Sequence, residues 1–230
     1  RRQRQMCIRD RNRNMESNMF CYQCQETAKG TGCILKGVCG KESHTAQAMD
    51  LLLFVVRGIS VVADTLRKAD CPVSEEVNVF VTDALFCTIT NANFDDESIL
   101  KRVDKGIIMR NGLIQEAEHN KVFLPKVDEL TWQGTRDDYA EKAKTVGVLR
   151  EQDEDLRSLK ELLVYGLKGM AAYLEHAMRL GFNDDTVHVF MLLFCFLRGY
   201  DFIIEPLKNA KSKNHAQIRN YSTHHSRRFA

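Results

Sequence analysis

DLLLFVVRGISVVAD, residues 50–64, holds a single arginine between two terminal aspartates and is otherwise apolar or small. Leu52, Val56, Ile59, Ala63 and Leu66 step by four and three, which is the period of an α-helix. Leu51, Val55 and Val62 add a second apolar face, so a helix from His44 to Ala69 is expected to be buried on most sides. Cys71-Pro72 should end it, because proline disfavours helix at the residue before it. Ser74 followed by Glu75 and Glu76 reads as an N-cap with acids suited to the helix dipole, opening a second helix that runs to about Thr90. Ile99, Val103, Ile107, Leu113 and Ile114 predict a third helix over Asp95–His119. After a loop containing Pro125 and Trp132, helices are predicted at Asp137–Val148, at Asp153–Leu180 and from Asn183-Asp184 onward. Trp132 is expected to anchor packing, and Phe86, Phe94, Tyr165 and Tyr173 to lie in the core. The acidic run Glu151, Asp153, Glu154 and Asp155 should compensate a helix dipole.

The opening stretch has a second copy. ELLVYGLKGMAAYLE (161–175) lies over 50–64 at a constant offset of 111, pairing Arg57 with Lys168, Gly58 with Gly169 and Phe54 with Tyr165. VNVF (77–80) then lies over VHVF (187–190) at an offset of 110. The matching glycine and the continuation into a second helix indicate an all-α fold of two duplicated three-helix bundles. The expected divisions are a basic head (1–18), a cysteine-rich loop (19–43), a first bundle (44–130), a second bundle (131–200) and a basic polar tail (201–230). A counterpart of helix 95–119 would fall near 205–229, where Leu207, Ile218 and Phe229 share no helical face. The second bundle is therefore expected to be incomplete. The apolar run MLLFCFLRGYDFII (191–204) reads as the start of a non-native end, and the tail as non-native or disordered.

The net charge of +2 hides an uneven distribution. Residues 1–18 carry +4 and residues 207–230 carry +6, leaving −8 on the body between them. An acidic body is a poor match for a phosphate backbone, so no nucleic-acid partner is expected. No run reaches the roughly 18 uninterrupted apolar residues of a membrane span, so no membrane partner is expected. The head lacks the apolar segment of a secretory signal, and free thiols in a cytoplasmic setting are the default expectation. Its arginines also suit an organellar presequence or a translated adaptor peptide, with Met19 the expected start of the native chain. A mitochondrion-like organelle is the second expectation for location.

Half of the eight cysteines fall within nineteen residues, as MFCYQCQETAKGTGCILKGVCGK (19–41). The spacing of Cys21, Cys24, Cys33 and Cys39 is C-x2-C-x8-C-x5-C. A structural zinc would use four thiolates, although its usual signature is two close pairs. A disulfide framework needs an oxidising compartment that nothing here indicates. An iron–sulfur cubane needs four thiolates on a wrapped loop, with small residues for close approach. Gly30, Gly32, Gly37 and Gly40 supply these, and Lys29, Lys36 and Lys41 could offset the cluster's charge. Spacing favours iron–sulfur and leaves zinc and unligated thiols open. Cys71, Cys87 and Cys195 read as buried thiols, Cys7 lies in the head, and His224-His225 read as solvated.

With QETAKG between its cysteines, this stretch closely resembles the amino terminus of the hybrid-cluster proteins, also called prismane proteins or hydroxylamine reductases. The likeness continues through DLLLFVVRGIS (50–60), ITNANFD (89–95) and EDLRSLKELLVYGLKGMAAYLEHAMRLGF (154–182), covering roughly residues 19–190. The resemblance implies a 4Fe–4S cluster on Cys21, Cys24, Cys33 and Cys39, the longer-gapped form of the family carrying 2Fe–2S instead. It also implies an all-helical amino-terminal domain of two three-helix bundles.

Family members are more than twice this long. Two α/β domains hold the hybrid iron–sulfur–oxygen cluster, whose histidine, glutamate and cysteine ligands lie beyond the part matched here. The implied reaction is reduction of hydroxylamine to ammonia, with nitric oxide as a further substrate. An external electron donor would feed the 4Fe–4S cluster, and the small nitrogenous substrate would bind in the missing domains. No catalytic residue falls in this chain, which alone is expected to be inactive. The rival expectation, from another class, is a cysteine-rich zinc module mediating contacts on a helical scaffold.

Overall fold

The computed structural model describes residues 19–24, 27–89 and 92–197. Among them are seven α-helices: α1 (Ser43–Lys68), α2 (Glu75–Cys87), α3 (Asp96–His119), α4 (Asp128–Thr131), α5 (Tyr139–Val146), α6 (Glu154–Arg179) and α7 (Asp185–Leu197). No strand occurs among the described residues, so the all-α expectation holds. The predicted boundaries fall within a few residues of those observed. The four-residue α4, predicted as loop, is the exception.

α1 is the central helix. Twenty of its 26 residues are buried, as its two apolar faces require. α3 lies along one side of it, α7 along another, and α4 and α5 close the remainder. α1 is long and apolar enough to cross a membrane, but these neighbours cover it. The close approach of α4 and α3 depends on Gly58, where a Cβ would stand 2.5 Å from the Glu129 carbonyl oxygen and 2.9 Å from Arg110 Cδ. Arg110, fully buried, donates to the carbonyls of Glu129 at 2.9 Å and Trp132 at 2.7 Å and so ties α4 to α3. Trp132 packs between Phe54 and Tyr139, as its expected anchoring role requires.

The duplication reads directly in the coordinates. α1 and α6 are both 26 residues long and offset by 111; α2 and α7 begin at Glu75 and Asp185, an offset of 110. The first helix of each copy also stops in the same way. Asp70 and Gly181 take left-handed φ values of +56° and +82°, and the next N–H reaches back to Leu66 and Ala177 respectively, 3.0 Å in each case. This left-handed stop, ahead of Pro72, ends α1.

The copies pack crosswise. α1 of the first copy lies against α7 of the second, and α2 of the first against α6 of the second, around one continuous apolar core. The same register positions are buried in α1 and α6: Leu53 and Val164, Val56 and Leu167, Arg57 and Lys168, Ser60 and Ala171. The opposite faces differ. Leu51, Phe54 and Val62 are fully buried under α3–α5, whereas their counterparts Leu162, Tyr165 and Tyr173 are 61%, 45% and 82% exposed. Tyr165 and Tyr173 are therefore not core residues as expected, because among the described residues nothing covers that face of α6. Phe94 is likewise exposed, while Phe86 packs on the core. The third helix sought near 205–229 lies outside the described residues. α7 continues past Phe190 without a break, and Met191, Leu192 and Cys195 are buried in the shared core.

Polar side chains bridge the copies. Asn78 donates to Asp185 at 2.9 Å, Asn183 donates to Glu75 at 2.7 Å, and the His188 ring lies 3.3 Å from the Thr82 hydroxyl and 2.7 Å from the Asn183 carbonyl oxygen. A neutral ring with its proton on Nε2 satisfies Asn183 and leaves Nδ1 as an acceptor toward Thr82. Helix starts are also specified locally. Asp95 accepts from the N–H groups of Glu97 and Ser98, and Asp153 from that of Leu156. Ser74 occupies the N-cap of α2 but its hydroxyl makes no capping bond, so the acids Glu75 and Glu76 act there alone.

Two outcomes follow for stability. Gly58→Ala should destabilise by about 1–3 kcal/mol through overpacking. Gly169→Ala, at the matching but open position, should stabilise by about 0.5–1 kcal/mol through helix propensity. Urea titrations of the two variants check both signs. Burial holds the His188 pKa below its ordinary 6.5, the charges around it contributing less. The folded chain thus resists a proton that the unfolded chain accepts. Stability should be indifferent to His188 above about pH 6.5 and fall as pH drops below that value. Urea midpoints measured against pH should show a flatter acid limb for His188→Gln.

Candidate metal centre

The loop ahead of α1 is shaped by main-chain pairing and by glycine. Cys21 and Cys33 oppose each other in an isolated antiparallel bridge, each N–H donating to the other's carbonyl at 3.0 and 2.9 Å. With Met19 and Ala46 they form a small apolar cluster separate from the main core. Gly32, at φ +125°, lets the chain pass the Phe20 ring, which a Cβ would meet at 2.7 Å. Cys39 sits in a turn where the Gly37 N–H donates to the Lys41 carbonyl at 2.8 Å and the Gly40 N–H to that of Gly37 at 2.8 Å. A Cβ on Gly37 would come within 3.1 Å of Cys39 Sγ. This is the close approach of backbone to sulfur that the spacing analysis required.

The loop suits sulfur in its charged form. The Ala28 N–H donates to Cys33 Sγ at 3.4 Å, and the Gln23 N–H to Cys21 Sγ. Burial pushes the Cys21 thiol pKa up. The Gln23 N–H and the positive charges of Lys41 and Lys168 pull it down, while Asp50 pushes it up. The Thr27 hydroxyl is buried within the loop and has no hydrogen-bond partner among the described residues.

All four loop cysteines are free thiols, Cys21 and Cys33 buried, Cys24 and Cys39 half-buried. Among the described residues, no three His, Cys, Asp or Glu side chains come close enough together to hold a metal ion. The loop therefore opposes Cys21 and Cys33 and does not draw Cys24 and Cys39 in with them. The donor set nevertheless fits a thiophilic centre. It comprises four thiols on one short glycine-opened loop, N–H groups on two sulfurs, and in the same loop a buried hydroxyl with no partner among the described residues.

The three lysines behave differently from one another. Lys36 pairs with Glu42 at 2.5 Å on the surface, and Lys29 is exposed. Lys41 is buried, its Nζ 3.3 Å from Gln23 Oε1 and 2.9 Å from Met49 Sδ. Gln23 in turn donates to Asp50 at 3.0 Å. Lys168 is also buried and donates to the Thr88 carbonyl at 3.1 Å. Gln23, Thr27, Asp50 and Lys168 were not identifiable as site residues from spacing, because nothing in their sequence context marks burial beside the loop. Only the alignment of Lys168 with Arg57 signalled an inward-facing cation.

The remaining thiols do not join the site. Cys87 and Cys195 are buried as expected, and Asn93 donates to Cys87 Sγ at 3.3 Å. Cys71 is only half-buried, because the left-handed turn at Asp70 places it at the end of α1, where its Sγ lies 3.6 Å from the Ala69 carbonyl. Cys7 and His224-His225 lie outside the described residues.

Comparison with known proteins bears on the whole described body. The chain is 56% identical over 175 residues to a hydroxylamine reductase of Bacteroides thetaiotaomicron, covering 76% of this chain and 31% of that protein. It is 50% identical over 177 residues to a hydroxylamine reductase of Porphyromonas gingivalis, covering 76% and 32%. It is 46% identical over 181 residues to one of Nitratidesulfovibrio vulgaris, again covering 76% and 32%. The chain thus spans about a third of the length of the curated relatives it matches. Residues 19–195, from the start of the cysteine loop into α7, match the Prismane/CO dehydrogenase family, and the chain belongs to that family.

Proposed function

We propose that this chain is the helical, electron-relaying part of a hydroxylamine reductase, with Cys21, Cys24, Cys33 and Cys39 holding a 4Fe–4S cluster. The observation that carries the reading is the cysteine loop itself. It lies inside the family match and presents four free thiols with N–H groups directed at two of the sulfurs. A 4Fe–4S cluster, when bound, supplies one-electron transfer. The Cys21–Cys33 bridge anchors one side of the loop, and Cys39 sits in the glycine turn at Gly37–Gly40. Ala28 and Gln23 hold negative charge on sulfur through their N–H groups. The apolar cluster around Cys21 and Cys33 excludes water from that side.

In this reading electrons arrive from an external donor. The hybrid cluster, where hydroxylamine is reduced to ammonia and nitric oxide is a further substrate, is held by a part of the relatives that this chain does not span. The 230 residues alone are then inactive as a reductase. A reducing compartment, taken as the cytoplasm, keeps the four thiols available.

Anaerobic purification followed by metal and sulfide analysis tests the proposal. About four irons and four sulfides per chain, with a reducible brown chromophore, is the expected result. About one zinc on a colourless protein would overturn it in favour of a structural zinc module. Cys33→Ser should lose the iron while keeping the helical circular dichroism of the body, and full iron in that variant would refute the ligand assignment. Hydroxylamine should not oxidise reduced viologen in the presence of this chain.

A further inference from the structure

Gln23 stands between two of the loop cysteines, next to Cys24 and two residues past Cys21, and it is buried. Its amide has a partner at each end. Nε2 donates to Asp50 Oδ1 at 3.0 Å, and Oε1 accepts from Lys41 Nζ at 3.3 Å. Lys41 and Asp50 are themselves buried. Only this way round satisfies the amide, since an ammonium donates and a carboxylate accepts. A glutamate here would face Asp50 with like charge, and an apolar side chain would bond to neither group. Gln23 thus joins a buried cation to a buried anion, which is the kind of contact that is costly to leave unmade.

The points of attachment give the contact its importance. Lys41 is fixed through its backbone to the turn that holds Cys39, where its carbonyl accepts from the Gly37 N–H at 2.8 Å. Its Nζ also lies 2.9 Å from Met49 Sδ, and Met49 and Asp50 are consecutive residues of α1. Gln23 and Lys41 are 18 residues apart, and Cys24, Cys33 and Cys39 all lie between them. One buried contact therefore closes the loop at its neck and fastens that neck to the central helix.

We propose that Gln23 is a positioning residue of the metal centre: with Lys41 and Asp50 it forms a latch that holds the cysteine loop closed against α1. The inference rests on the iron–sulfur reading above for what the loop retains. Closing a loop costs conformational entropy, and a loop already closed at its neck does not meet that cost again when its cysteines take up metal. The Cys21–Cys33 bridge closes only the first part of the loop and leaves Cys39 outside it. The latch takes in Cys39 as well. Gln23 also donates its backbone N–H to Cys21 Sγ, so holding its side chain fixes the direction of that donor.

The test uses the full 230-residue chain, purified anaerobically with its native metal content, and two readouts. Hydrogen–deuterium exchange reads loop closure through the bonded N–H groups of Cys21, Cys33, Gly37 and Gly40. Release of iron to a ferrous chelator reads retention. Gln23→Met and Lys41→Met keep side-chain length and remove the contact. Each should speed exchange at those four loop amides by about tenfold, the loss of one buried charge-assisted hydrogen bond, and should release iron faster by a similar factor. Exchange in α2 and α7, which lie away from the latch, should stay at the wild-type rate. Both substitutions break the same contact, so the double variant should be no worse than the stronger single one. Unchanged loop exchange in both variants overturns the latch. So does faster exchange in loop, α2 and α7 alike in both variants, which marks a general loss of stability. A faster-exchanging loop that releases iron at the wild-type rate overturns the positioning role and leaves the iron–sulfur reading intact. A wild-type chain without iron overturns that reading, and the exchange pattern then decides the latch alone. If one variant does not fold, the other decides.

Discussion

Burial of α1 is the constraint on which the rest of the structure depends. A helix with apolar residues on nearly every face cannot rest on one partner; it must be surrounded. Its neighbours accordingly come from along the chain: α3 from the same copy, α4 and α5 from the excursion between copies, α7 from the second copy. The polar residues within α1 then have to be satisfied inside the core. Arg57 faces Glu129, and Asp50 takes up the Gln23 amide at the base of the cysteine loop. The loop is therefore attached to the core through the same helix that organises it, and Ala46 and Met49 supply the contact.

Duplication explains the symmetry of this core, and divergence explains its function. Both copies keep the length of the first helix, its left-handed stop and its buried register positions. They differ where they meet other things. Gly58 is pressed against α4, while Gly169 faces open space among the described residues. Arg57 lies 3.7 Å from the Glu129 carboxylate, while Lys168 donates to the Thr88 carbonyl at 3.1 Å.

Helix positions were legible because apolar period and capping chemistry agree over most of the chain. Ile99, Val103 and Ile107 announce α3, and Asp95 and Asp153 cap where the acidic starts suggested. α4 was not legible, since four residues contain barely one turn of any period. The exposure of Tyr165 and Tyr173 was not legible either, because their spacing is that of a buried face and only the arrangement of neighbours decides whether something covers it. At the site, the four cysteines and Lys41 stand together in sequence and could be read together. Lys168 and Asp50 become site neighbours only after α1 and α6 have been brought into one core, a tertiary fact that local pattern does not carry.

The crosswise packing of the two copies has a consequence for how the molecule is made. α1 is complete at Lys68, but α7, which closes one of its apolar sides, begins only at Asp185, roughly a hundred residues later. At about 5–20 residues per second, a translating ribosome leaves that side bare for about 5–20 s. Nascent chains therefore carry an unclosed hydrophobic helix while those residues are being made.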